Sequence, residues 1–302
     1  VILGASYYQT IQAYPNGGGA FMVAKENLGE VPSLLAAAAL LLDYLLTVAV
    51  SIAAGVRAIT SAFPHLIPFT VIICVLTIVF VAWMNLRGAQ ESATTFAYPT
   101  YIFIFIIVSM LCIGISKVWF SPVALAHHLA HVQLRHPSLM DPATATLSLY
   151  MVLKAFSAGC SALTGVECIA NAVPAFKKPE VTNARKTLIW MVVILGAMFL
   201  GITYLANALH LVPDDSQSVL SQIGHFVFGN SIAYYLLQVA TAAILLLAAN
   251  TAFTGFPRLA SILSHHSYLP KQFSSLGDRL SFSNGVVSLA GFSCLLIIIF
   301  HG

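Results

Sequence analysis

Seven long stretches of this chain contain almost no Asp, Glu, Lys or Arg. They run over about 33–56, 67–86, 97–116, 147–173, 187–209, 231–253 and 284–300, and only Asp43, Lys154 and Glu167 interrupt them. Each comes close to the ~20 apolar residues that cross a bilayer as a helix. Charged residues make up 8% of the chain, against about 25% in a soluble domain. Mean hydropathy is +0.90, and no soluble fold of this length hides so much apolar surface. Inside a bilayer every backbone N–H and C=O must pair within its own segment, so the runs have to be helices. The expected fold is therefore all-α and polytopic. Residues 1–14 are too short to cross and read as the end of a truncated helix, which brings the expected number to about eight. The chain reads as one transmembrane domain over residues 1–302, the middle of a longer protein.

The basic residues orient the runs. Lys25, Arg87, Lys177, Lys178, Arg185, Lys186, Arg258, Lys271 and Arg279 fall in one set of alternate loops; Arg57, Lys117 and Arg135 fall in the other. Cytoplasmic loops carry the excess of Lys and Arg, so the segments near 15–31, 85–96, 174–186 and 255–283 are expected inside. Those near 57–66, 117–146 and 210–230 are expected outside. The net charge of +3 is spread over these short loops rather than one face, which gives no reason to expect a nucleic-acid partner. The five cysteines lie scattered in apolar segments without C-x-x-C spacing, so neither a disulfide framework nor a zinc site is expected. No signal peptide is visible.

Two acids stand where helix stability gives them no reason to be. Asp43 and Glu167 each lie within an apolar run, and an acid at the bilayer centre costs roughly 2.5 to 3.5 kcal/mol on insertion scales. Each is thus a candidate for handling a cation or a proton. Asp43, Thr47 and Ser51 are spaced i, i+4, i+8, with Tyr44 beside them. At 3.6 residues per turn they form a narrow stripe of oxygens on one helix face. Several such oxygens can replace the hydration of a monovalent cation. The plainer reading has Thr47 and Ser51 bonding back to the i−4 carbonyls, which leaves Asp43 unexplained.

The run at 147–173 differs from the others. Gly159, Ser161, Thr164 and Gly165 cluster in its middle, and Glu167 follows at once. Such residues suit a close helix crossing, but they also weaken the helix, and exposed backbone at that depth is tolerated only where it lines a cavity. Broken helices of this kind hold substrates and ions in secondary transporters, and the acid directly after the break favours that reading. As the first residue group of a second half-helix, Glu167 would be pulled toward its ionised form by the helix dipole and toward its neutral form by burial. The opposition suits an acid that loads and releases a proton. Lys154, one turn earlier, is expected to snorkel outward.

Other motifs carry less. The Tyr14–Phe21 connector is glycine-rich but lacks the G-K-[ST] of a phosphate loop, and reads as a tight cytoplasmic turn. His127 and His131 have i, i+4 spacing among the outer-loop histidines, with His128 and His136 nearby, but no carboxylate or Cys completes a metal set. There is no H-E-x-x-H for an intramembrane metalloprotease, and no enzyme activity is expected.

Several segments together resemble a known family: Tyr14–Phe21 with Lys25–Gly29, Leu42–Ser51, Asn85–Gly88 with Glu91–Ser92, Ser161–Glu167, Ala249–Phe253, Phe256–Leu259 and Asp278–Gly285. In this order and spacing they resemble the amino acid–polyamine–organocation (APC) superfamily, and within it the KimA-type potassium importers, related to the KUP uptake proteins. The resemblance covers nearly all of the chain. It implies a LeuT-type fold of two inverted repeats, of which this chain would hold core helices two to nine, with the first and tenth missing. It further implies that Asp43, Tyr44, Thr47, Ser51 and Thr164 bind the cation, with Glu167 coupling protons alongside Asp43. The implied protein is a multi-pass carrier of the cell (cytoplasmic) membrane. It would import potassium by proton symport through alternating access, with no cofactor and no metal beyond the monovalent cation. Its partners would be that cation and the lipid bilayer, and the resemblance leaves room for a homodimer. An amino-acid permease on the same fold is the first rival, since fold does not decide function. A channel is the second, opposed by the lack of a T-V-G-Y-G filter.

Overall fold

The structure is a computed structural model. It describes residues 2–15, 19–87, 93–120, 149–161, 165, 169–170, 173–211, 217–274 and 283–300. The described residues form helices α1 (Ile2–Ala13), α2 (Ala20–Leu28), α3 (Glu30–Ala62), α4 (Thr70–Leu86), α5 (Ala93–Phe120), α6 (Leu149–Ser161), α7 (Glu180–Ala208), α8 (Val219–Phe228), α9 (Ile232–His265) and α10 (Ser283–Phe300). Short 3-10 turns occupy Pro64–Phe69, Val173–Ala175 and Lys271–Phe273. No strand occurs among the described residues.

Six segments are long and apolar enough to cross a membrane: Glu30–Ala62, Pro64–Leu86, Ala97–Phe120, Glu180–Ala208, Ile232–His265 and Ser283–Phe300. Each coincides with a charge-free run. The opening helix α1 is too short to cross, as its length predicts. The span expected at 147–173 is described as far as Ser161, and Gly165 beyond it sits at φ +93°. That left-handed backbone cannot continue an α-helix, so the chain leaves the helical path where the small residues cluster. Lys154 is exposed.

Some boundaries differ from expectation. Arg57 lies inside α3 rather than in a loop, because the helix continues to Ala62 before Pro64 opens a 3-10 turn. The segment 255–283 begins as helix, since α9 runs to His265 with Pro257 in its interior rather than near its end. A proline removes one helical hydrogen bond; here the ring packs on α10, where a Cβ added to Gly285 would stand 2.9 Å from the Pro257 Cα. Only glycine permits that approach.

The chain divides into two compact units. One holds α1, α2, α3 up to Ala39, α6 and α7 up to Gly201. Its core is Ile11, Ala170, Val173, Ala184 and Leu188, and the Arg185 guanidinium stacks 3.6 Å over the Tyr8 ring. The other holds α3 from Leu40, α4, α5, the end of α7, α8, α9 and α10. There α9 packs against α4, α5, α8 and α10, and α10 packs along α4. α3 meets α9 closely: a Cβ on Gly55 would lie 3.5 Å from the Ala242 carbonyl oxygen.

The segment expected as an outer loop near 210–230 contains α8, fixed at both ends. Ser218 Oγ accepts from the Ser221 N–H at 3.1 Å and caps its start. Lys117 Nζ, on α5, donates to the Val227 carbonyl at 2.7 Å at its end, where a cation also meets the negative pole of the helix. Beneath α8, Gln238 Nε2 donates to Ser221 Oγ at 2.8 Å, Ser221 Oγ and Tyr234 OH lie 2.8 Å apart, and Tyr234 OH donates to the Ser61 carbonyl at 3.2 Å. This network joins α3, α8 and α9 through buried polar atoms that have partners, the condition under which burying them is tolerated.

Candidate cation site

α3 sorts its side chains into three faces over the stretch 42–52. Leu42, Leu46 and Val50 are exposed and apolar, as a lipid-facing side requires. Tyr44, Val48 and Ile52 are buried in the second unit. Asp43, Thr47 and Ser51 lie between these faces, each half-buried. The i, i+4, i+8 stripe is thus continuous, and it borders the core rather than pointing into lipid with the leucines.

The two hydroxyls on the stripe behave unlike most others on these helices. Thr60 and Ser61 donate to the Arg57 carbonyl, and Thr77 donates to the Ile73 carbonyl. No such bond forms from Thr47 or Ser51 among the described residues, and neither oxygen belongs to the buried polar atoms that lack a partner. Both oxygens are therefore reachable. The expectation that membrane Ser and Thr bond back to their own helix does not hold at these two positions.

Tyr44 is held from behind. It is 7% exposed, and a Cβ on Gly255 of α9 would stand 2.7 Å from its Cε1 and 3.0 Å from its OH. Gly255 is a positioning residue that sequence reasoning missed. It contributes no side chain, and among the neighbouring alanines, threonines and Ser261 its small size carries no distinct signal. α10 reaches the same part of α3 through Ser293 Oγ, which donates to the Leu45 carbonyl at 3.4 Å.

The structure brings Asp43, Tyr44, Thr47 and Ser51 together on one helix of one unit. Thr164 and Glu167 lie outside the described residues, as do His127, His128, His131 and His136. No group of three metal-ligating side chains occurs among the described residues. The stripe provides one carboxylate and two hydroxyls, with the Tyr44 phenol on the buried face next to it. These are hard oxygen donors, suited to a monovalent cation held by several weak ligands rather than to a transition metal.

A second polar feature lies on the same unit. Asn85 Nδ2 of α4 donates to Asn250 Oδ1 of α9 at 2.7 Å. Asn250 also lines a cleft of about 420 Å³ between α5 and α9, together with Thr100, Thr251, Thr254, Ile244 and Leu247. Sequence reasoning placed Asn250 and Thr251 in a shared motif without giving them a role.

Comparison with known proteins adds two findings. A family model described as amino acid permease matches residues 1–302. The protein named potassium transporter KimA, from Bacillus subtilis (strain 168), is 48% identical over 297 residues, which is 98% of this chain and 48% of that protein. The chain spans about half the length of the curated relative it matches.

Proposed function

Because the chain belongs to the amino acid permease family, a family of multi-pass membrane proteins, we propose that it forms part of a carrier that imports potassium across the cell membrane. The observation that carries this reading is the Asp43–Thr47–Ser51 stripe beside Tyr44, half-buried and with two hydroxyls uncommitted to the helix. An amino-acid carrier has no need of an acid on this stripe, whereas a cation needs both the charge and the oxygens. The identity to a protein named as a potassium transporter points the same way.

In this reading Asp43 supplies charge, and Tyr44, Thr47, Ser51 and Thr164 replace part of the hydration of the cation. Glu167, directly after the turn at Gly165, is the proton-coupling acid. In this reading the carrier works by alternating access to the bound ion.

Uptake tests the reading. In a potassium-starved host, the full-length protein is expected to accumulate rubidium and to leave labelled amino acids outside. Asp43→Asn should lower rubidium uptake at least ~tenfold, since losing about 1.4 kcal/mol of cation binding corresponds to that factor. Undiminished uptake by Asp43→Asn would remove the role assigned to this carboxylate. Amino-acid uptake without rubidium uptake would favour the other activity that the family name describes.

A further inference from the structure

The start of α7 joins two kinds of surface that the cation stripe does not use. The segment 177–186 carries Lys177, Lys178, Arg185 and Lys186 against one acid, Glu180. The three lysines are exposed and Arg185 is half-buried. Charge bias places this segment on the cytoplasmic side. The two leading lysines are tied to the helix, because Asn183 Nδ2 donates to the Lys177 carbonyl at 2.8 Å and the Asn183 N–H donates to the Pro179 carbonyl at 3.1 Å. Arg185 is tied to α1, with its guanidinium 3.6 Å over the Tyr8 ring. Four cations are thus held at one helix start although like charges repel.

The same helix changes character within one turn. Ala184 and Leu188 belong to the core that also holds Ile11, so the opposite face of α7 is turned outward. On that face Lys186 is followed at i+4 by Trp190, which is 67% exposed and flanked by the exposed Ile189 and Val193. At 1.5 Å per residue, Trp190 stands ~6 Å further along the helix than Lys186. Tryptophan collects where headgroups meet acyl chains, and a lysine stem reaches from that level toward water. Cations therefore border directly on an outward apolar strip. The ligand that fits both has an anionic head and an apolar tail. A nucleic acid or an acidic protein would meet the lysines and leave Trp190, Ile189 and Val193 without a partner.

We propose that the start of α7 binds an anionic glycerophospholipid of the cytoplasmic leaflet, with the headgroup phosphate among Lys177, Lys178 and Lys186 and the acyl chains along Trp190 and Val193. Basic segments beside a membrane helix are drawn to the negative surface potential of that leaflet. Arg185, fixed on Tyr8, adds positive potential behind the lysines. The bound lipid fastens the unit that holds α1, α6 and the start of α7 to the membrane surface. None of this depends on which cargo the carrier moves.

Tryptophan quenching in bilayers holding the full-length protein tests it. Every tryptophan but Trp190 is replaced by Phe, and a second protein keeps only Trp119, an exposed tryptophan at the end of α5 that charge bias places outside. Quenching by brominated phosphatidylglycerol is compared with quenching by brominated phosphatidylcholine, which gives the relative affinity of the two lipids beside each ring. Trp190 is expected to show at least a ~fivefold preference for phosphatidylglycerol, weakening as salt is added, and Trp119 little preference. Lys177→Gln, Lys178→Gln and Lys186→Gln together should abolish the preference at Trp190, while Arg at the same three positions should keep it. Equal quenching by the two lipids at Trp190, or a preference that survives the three Gln substitutions, would overturn the proposal. An equal preference at Trp119 would do the same, since it would reflect the whole surface. So would loss of the preference in millimolar inorganic phosphate at constant ionic strength, which would mark a site for free phosphate.

Discussion

Tyr44 and Gly255 form the contact most open to test by a single substitution. A methyl group at Gly255 would lie 2.7 Å from the Tyr44 ring, inside van der Waals contact. The backbone of α9 is braced by α4, α5, α8 and α10, so the ring is the part that gives way. Gly255→Ala is therefore expected to leave expression and folding near normal and to displace the phenol from its place beside the stripe. The KM for rubidium should rise several-fold while the maximal rate changes little, as happens when binding is lost uniformly from ground and transition states. A normal KM would show that the Tyr44 hydroxyl takes no part in holding the ion. The two partners are far apart in the chain, and nothing local to either one announces the other. Asp43 stands out in the sequence for the opposite reason: an acid among leucines carries a cost that local structure cannot offset.

At the scale of elements, the spans were legible because membrane helices are written as charge-free runs, and six of them reappear as helices of spanning length. The turn at Gly165 was legible because small residues cluster there. What escaped was pairing between elements. Asn85 and Asn250 are 165 residues apart, and periodicity along one helix does not specify the neighbour it meets. α8 escaped as well, since its 10 residues are too few to read as a span. Its attachment can be measured. Lys117→Met removes the donor to the Val227 carbonyl, a charge-assisted bond worth ~1.5–3 kcal/mol. Amide hydrogen exchange in 219–228 should accelerate ~tenfold or more while exchange in α9 stays unchanged. Unaltered exchange in α8 would show that the Ser221–Tyr234–Gln238 network alone holds it.

For the whole molecule, coupling to protons is the property that no single helix can display. If Glu167 carries the proton as proposed, rubidium uptake by the parent should rise as external pH falls, because the acid must be protonated on the outside before it can release inside. Glu167→Gln is permanently neutral, so its uptake should lose that dependence while saturable transport persists. A pH profile identical to the parent would assign coupling elsewhere. α9 has a mechanical consequence of its own. Its 34 residues extend about 51 Å, well beyond the ~30 Å slab of acyl chains. A stiff rod that overhangs its support acts as a lever: a tilt of ~10° about its midpoint swings each tip by ~4 Å, given that length. A spin label at His265, on the tip that charge bias predicts to be cytoplasmic, would therefore report a rocking motion that is nearly undetectable at the fulcrum.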